Sequence, residues 1–159
     1  MQQVLWLSGV VLTAFWLMEF AAWFTHKYVM HGALWVLHRD HHRKPPGFFE
    51  KNDAFFLIFA IPSWLCIMLG MMYGSATSVA FGAGIALYGL TYFLVHEIFI
   101  HQRFRFLRDS QWLYFKALRR AHKMHHKHLD QHPGENYGML VFPWKYVEEE
   151  RKQRPGQIL

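Results

Sequence analysis

The chain has one cysteine in 159 residues, and it has no lysine or arginine between residues 1 and 24 or between 54 and 98. The first shortage excludes a disulfide framework and a thiolate metal cluster. Cys66 lies in an apolar run and reads as a small packing residue. The second shortage is incompatible with helices that face water. Two metal-enzyme signatures are also missing. His96-Glu97 is not followed by the second histidine of H-E-x-x-H, and no glutamate has a histidine three residues later, as soluble di-iron carboxylate bundles require.

What fills the uncharged stretches is apolar. Val4–Phe24, Ala54–Tyr73 and about Thr77–Ile98 are three runs in a chain that is 53% hydrophobic. At about 1.5 Å per residue, each reaches across the ~30 Å hydrocarbon core of a bilayer. A chain of this length cannot bury three such helices in a soluble core. The expected fold is therefore all-α, a single domain over 1–159. It is an integral membrane helical bundle of three, at most four, transmembrane helices with a cytoplasmic histidine-rich helical cap. The first run follows Met-Gln-Gln, without a positive n-region or a small-residue cleavage site, and is expected to be a permanent span.

The 17 Lys and Arg lie at the feet of the spans, in 25–53 and 99–159. The positive-inside rule explains the net charge of +6 without nucleic acid. It places 25–53 and 99–147 in the cytoplasm and the protein in the cell (inner) membrane, multi-pass, with anionic lipid a suitable neighbour for the basic face. The first helix is expected to run past His26 and stop at Pro45-Pro46-Gly47, and Pro62 to be accommodated within the second span. Phe104–Leu118 mixes charge with aromatics and reads as a helix in the interface or on the cap surface. The residues from Glu148 on read as a loose tail.

An internal repeat organises the histidines. After the first span come His26-x4-His31 and His38-x2-His41-His42. After the third come His96-x4-His101 and His122-x2-His125-His126. Both copies follow a membrane helix of the same orientation. Ten of the twelve histidines take part; His128 and His132 read as surface residues. Histidines at i, i+3 and i+4 fall within about 100° on a helix, so three imidazoles can face one metal. The x4 pairs are offset by about 140° on an ideal helix. Each pair either straddles two ions or sits where the helix is distorted. Imidazole suits Zn, Cu, Fe and Ni. Ten ligands exceed the four that a zinc takes, whereas two ions with about five each would have an open position, as an iron that binds O2 requires. Snorkelling or pH-sensing histidines would not repeat their spacing.

The series H-x4-H, H-x2-HH, H-x4-H, H-x2-HH resembles the membrane fatty-acid hydroxylase superfamily. The words HKYVMHG, EKNDAFF, YFLVHEIFIHQRF, AHKMHH and GENYGML resemble its bacterial beta-carotene 3-hydroxylases, from about Glu19 to Phe142. The resemblance implies that His26, His31, His38, His41, His42, His96, His101, His122, His125 and His126 hold two non-haem irons. It further implies O2-dependent hydroxylation at C3 of the beta-ionone ring of a carotenoid drawn from the bilayer. No flavin, haem or iron–sulfur ligand pattern is present, so electrons are expected from an external, ferredoxin-type donor at the basic cytoplasmic face. Many members carry aspartate where this chain has Glu97. Rival expectations are another oxygenase on the same scaffold (a fatty-acid or sterol hydroxylase, or a ketolase) and a membrane metal carrier without redox chemistry.

Further candidates surround the ligands. Glu19, the charged residue inside the first span, shares a helical face with His26 seven residues on. It is a candidate to orient an imidazole or to pair with another helix. Asp40, Glu97 and Glu135 are candidate carboxylate partners of the ligands. Tyr88, Tyr92 and Phe93 are candidates to line a hydrocarbon slot, with helix packing as their alternative.

Overall fold

The computed structural model describes residues 1–43, 46–103, 110–127 and 135–153. These residues are helical, without strands. Helix α1 (Gln2–Phe24) passes into a π-helical segment, Thr25–Ala33, and α2 follows over Trp35–His42. A 3₁₀ turn, Lys51–Ala54, leads into α3 (Phe55–Met72). Then come α4 (Ala76–Tyr92), a second π-helical segment (Phe93–Ile100), α5 (Leu113–Lys127) and α6 (Lys145–Gln153).

Three continuous helical stretches are long and apolar enough to cross a membrane: Gln2–Ala33, Lys51–Met72 and Ala76–Ile100. Under a third of each apolar window is buried inside the protein. Leu5, Trp16, Phe20, Phe56, Trp64 and Leu90 all face outward. Such surfaces need lipid around them. Where the spans do touch, small residues let their backbones close up, as expected when no hydrophobic force separates protein from lipid tails. A Cβ on Gly82 would lie 2.8 Å from the Ser63 carbonyl of α3, and one on Gly84 would lie 2.5 Å from the Val11 carbonyl of α1. Ser63 Oγ donates to the Gly82 carbonyl at 2.8 Å, and Ser78 Oγ to that of Cys66 at 2.8 Å. Helix α3 continues through Pro62. Gly74 turns the α3–α4 hairpin with φ +69°, and Ser75 caps α4 through its hydroxyl.

Gly84→Val should therefore separate α1 from α4. Overpacking costs ~1–3 kcal/mol, which for this size of protein lowers the thermal midpoint by roughly 2–10 °C. Gly89→Val on the same helix meets nothing within 4 Å and should leave the midpoint within error. Thermal unfolding of both variants in detergent checks the pair.

Two sequence expectations are corrected. The helix expected from Phe104 begins at Leu113; residues 110–112 are non-helical, and 104–109 lie outside the described residues. Its buried stripe, Leu113, Ala117, Leu118, Ala121, His122 and His125, has helical spacing, so one face is apolar at its start and imidazole at its end. The expected tail from Glu148 is helical as far as Gln153, because Tyr146 and Val147 of α6 are buried against α5. Arg120 adds a fork, with Nε 3.0 Å from Glu149 and Nη1 3.0 Å from Glu150. Residues Lys44, Pro45, His128 and His132 lie outside the described residues.

Candidate metal centre

The two π-helical segments fall on the two H-x4-H pairs. Their hydrogen bonds skip one residue more than an α-helix, as in Leu34 N–H to Val29 O (2.9 Å) and His101 N–H to His96 O (2.8 Å). In this wider turn, residues five apart come onto one face. His26 and His31 have ring centroids 5.2 Å apart, and His96 and His101 4.4 Å. The distorted-helix alternative therefore holds, and neither pair straddles two groups. Gly32 (φ −106°, ψ −117°) then breaks the helix and lets α2 turn back with the triplet.

The triplets do not act as threes. In α2, His41 lies about 60° to one side of His38 and His42 about 40° to the other, and the two sides face different groups. His26, His31, His38 and His42 gather with His125. His41 gathers with His96, His101 and His122. Within each group the available nitrogens lie within 4.8 Å of one another. His126 joins the second group, its Nε2 2.8 Å from that of His122. It also stacks on His42, with centroids 4.7 Å apart. Each copy of the repeat thus keeps four histidines and lends its middle triplet histidine, His41 or His125, to the other.

The ring orientations are fixed from outside. Nδ1 of His26 faces the Tyr137 carbonyl (3.0 Å), that of His38 Asn52 Oδ1 (2.7 Å) and that of His125 the Glu135 carbonyl (3.0 Å). Nδ1 of His41 faces Glu50 Oε2 (2.8 Å), and that of His96 Glu97 Oε1 (2.6 Å). An acceptor at Nδ1 places the proton there and leaves the Nε2 lone pair pointing inward. Inside, Nε2 atoms stand 3.1 Å apart for His26 and His38, 3.2 Å for His38 and His42, and 3.2 Å for His31 and His125. His26 and His38 both hold their proton at Nδ1, so their Nε2 lone pairs oppose each other and repel unless a cation lies between them. Nε2 of His41 is buried without any hydrogen-bond partner, a costly condition that a metal relieves. Burial pushes His38 down to about 3 and His125 down to about 2, and it holds His41, His122 and His126 well below the usual histidine range, with neighbouring imidazoles adding to the effect. Neutral, converging, desolvated imidazoles are a metal site's donor set.

Of the sequence candidates, Glu97 accepts from His96 Nδ1 and also pairs with Arg103 Nε at 3.0 Å. Glu135 supports His125 through its backbone, while its carboxylate accepts from Tyr146 and Lys145 of α6. Asp40 accepts from the Lys51 amide (2.7 Å). Glu19 is bound to backbone amides and to Tyr88, whose hydroxyl lies 2.8 Å away. Tyr88 is fully buried; Tyr92 packs on the His96 ring (4.7 Å), and Phe93 faces outward.

The sequence reading missed Glu50, Asn52, Asp53, Arg103 and the Tyr137 carbonyl. Arg103 lies 3.0 Å from Asp53, 3.6 Å from Glu50 and 3.0 Å from Glu97. It thereby ties the supports of His41 and His96 together. The available signal was the density of polar residues in the short word EKND between a triplet and an apolar span. Loss of such supporting groups typically weakens metal binding ~10–100-fold. Glu97→Leu and Asn52→Leu should each do so, as measured by competition with a chelator.

A family profile described as Fatty acid hydroxylase matches residues 11–148. The beta-carotene hydroxylase of Pantoea ananas is 38% identical over 139 residues, 87% of this chain and 79% of that protein. That of Pseudescherichia vulneris is 40% identical over 119 residues, 75% of this chain and 67% of its own. The chloroplastic beta-carotene 3-hydroxylase of Gentiana lutea is 36% identical over 135 residues, 83% of this chain but 41% of the longer plant protein. No solved structure gives a significant match. The repeat, the spans and these matches agree: the chain belongs to the fatty acid hydroxylase family, alongside the beta-carotene hydroxylases.

Proposed function

We propose that the chain hydroxylates C3 of the beta-ionone ring of beta-carotene, giving cryptoxanthin and then zeaxanthin. In this reading His26, His31, His38, His42 and His125 hold one iron, and His41, His96, His101, His122 and His126 a second. The observation that carries it is the gathering of ten imidazoles into two groups at the ends of apolar spans, in a relative of named beta-carotene hydroxylases. Bound there, iron supplies the reduction of O2 and the attack on an unactivated C–H bond, which no acid or base on this chain could perform.

The chain's own residues do the rest. Tyr137, Asn52, Glu135, Glu50 and Glu97 hold five imidazoles in the tautomer that presents Nε2. Tyr92, Trp35 and Tyr137 pack on ligand rings and keep water from the donor atoms. The lipid-facing spans keep the centre next to the solvent of a hydrocarbon substrate. Electrons come from a ferredoxin-type donor drawn to the basic feet of the spans, which lie on the cytoplasmic side of the inner membrane.

Membranes containing the protein, supplied with beta-carotene, O2 and a reduced ferredoxin system, should form cryptoxanthin and zeaxanthin. Ketone products, or conversion of fatty acids or sterols alone, would reassign the substrate. Zinc, nickel or copper in place of iron after anaerobic purification, with no O2 dependence, would reject the oxygenase reading.

A further inference from the structure

We infer that Glu19 is the positioning residue of the His26-containing group, acting through the segment 135–141 without touching any imidazole itself. The inference rests on the reading of the histidine groups as metal sites. Glu19 lies within a membrane span and is 5% exposed, a costly place for a carboxylate. It is fully engaged. Oε1 accepts three successive backbone amides, from Met139 (3.0 Å), Leu140 (2.8 Å) and Val141 (2.8 Å), and Oε2 accepts the Tyr88 hydroxyl (2.8 Å). Consecutive amides turned onto one oxygen form a nest for an anion. A nest usually binds a ligand; here it is closed on a side chain of the first helix, more than a hundred residues away in sequence.

That closure fixes where the segment lies. Gly138 permits it, since a Cβ there would stand 2.3 Å from the Val141 carbonyl and 3.4 Å from Glu19 Oε1. Asn136 turns the chain with φ +64°, a left-handed conformation that asparagine tolerates. The other end is held by α6, where Tyr146 donates to the Glu135 carboxylate at 2.7 Å. Between these anchors, the Tyr137 carbonyl receives His26 Nδ1 and the Glu135 carbonyl receives His125 Nδ1. Both histidines belong to the same group, and His125 is the one lent by the other copy. Glu19 therefore orients the two ends of one donor set, while His41 and His96 of the second group are oriented by Glu50 and Glu97.

The test counts iron per chain in the full-length protein, alone and in two backgrounds. Glu19→Leu should reduce iron from two to about one. Gly138→Ala, which opens the segment without altering the carboxylate, should do the same. Glu19→Gln keeps an acceptor for the amides and should retain nearly two. With His122→Ala, which disables the second group, Glu19→Leu should remove the remaining iron. With His38→Ala, which disables the first, it should change nothing. Hydrogen exchange in the metal-free protein gives an independent reading: amides 139–141 should lose protection in Glu19→Leu and keep it in Glu19→Gln. Two irons retained in both Glu19→Leu and Gly138→Ala would overturn the inference, as would equal loss from both backgrounds. A wild-type protein that binds no metal would overturn the histidine reading and this inference with it.

Discussion

His125→Ala should strip metal from the group that the first half of the chain supplies, and His41→Ala from the group that the second half supplies. Each variant is expected to hold about one metal per chain instead of two. Hydroxylation should fall by more than the ~10–100-fold expected for loss of a supporting partner. The reason is the splitting of each triplet: His38 and His42 face one group while His41 turns to the other, and His125 stands with His26 and His31 rather than with its neighbours His122 and His126. Pairing His125→Ala with a replacement in each group in turn sharpens the result. His125→Ala with His31→Ala should retain about one metal, whereas His125→Ala with His96→Ala should retain none. Metal analysis of the four proteins decides it, and retention of one metal by the second pair would reject the crossed assignment.

Acid should destabilise the metal-free protein across an unusually wide range. In the unfolded chain a histidine takes its proton near pH ~6.5. Folded, burial pushes His38 down to about 3 and His125 down to about 2. Between those values the unfolded state binds more protons than the folded state, so stability rises with pH and falls as pH drops below about 6.5. The stabilising contribution is present in full above that point and is lost progressively down to about pH 3 for His38 and about pH 2 for His125. The thermal midpoint of the metal-free protein should thus fall steadily from pH 7 to pH 4. The loaded protein should resist over the upper part of that range, because binding to the native state alone adds stability. The ordinary histidine value alone would place metal loss near pH 6.5; buried imidazoles that cannot readily accept a proton should retain metal well below it. A flat midpoint in the metal-free protein would show the imidazoles to be hydrated.

What was legible in the sequence was what repeats or what lacks charge. Absence of Lys and Arg marks the spans, because a charge facing lipid is costly wherever it falls. The doubled histidine spacing marks the donor set without reference to tertiary structure. What was not legible depends on where backbone goes. The support of His26 is a carbonyl, which every residue carries, so nothing in the letters singles out Tyr137. Glu19 looked like a partner for His26 from its seven-residue spacing, but its carboxylate points to amides from the far end of the chain. The charged residues of α6 suggested a loose tail; Tyr146 and Val147, which bind that helix, are only two residues of it. The crossing of His41 and His125 turns on about 100° around a helix, which spacing shows only once the directions of both groups are known.

The π-helical segments have a genetic consequence. Each contains one residue more than an α-helix needs, placed between the two histidines of a pair. Deleting any one of Lys27, Tyr28, Val29 or Met30 would leave the hydropathy of the span and all ten histidines intact. It would remove the extra residue and let the segment close as an α-helix, with the two histidines four apart and still on one face. A deletion one turn earlier, among Ala21, Ala22, Trp23 and Phe24, has no extra residue to absorb it and would turn Glu19 by about 100° relative to His26. Reading-frame-preserving deletions at the foot of this span should therefore be milder inside the π-helical segment than just before it, and membrane insertion alone would not tell the two apart.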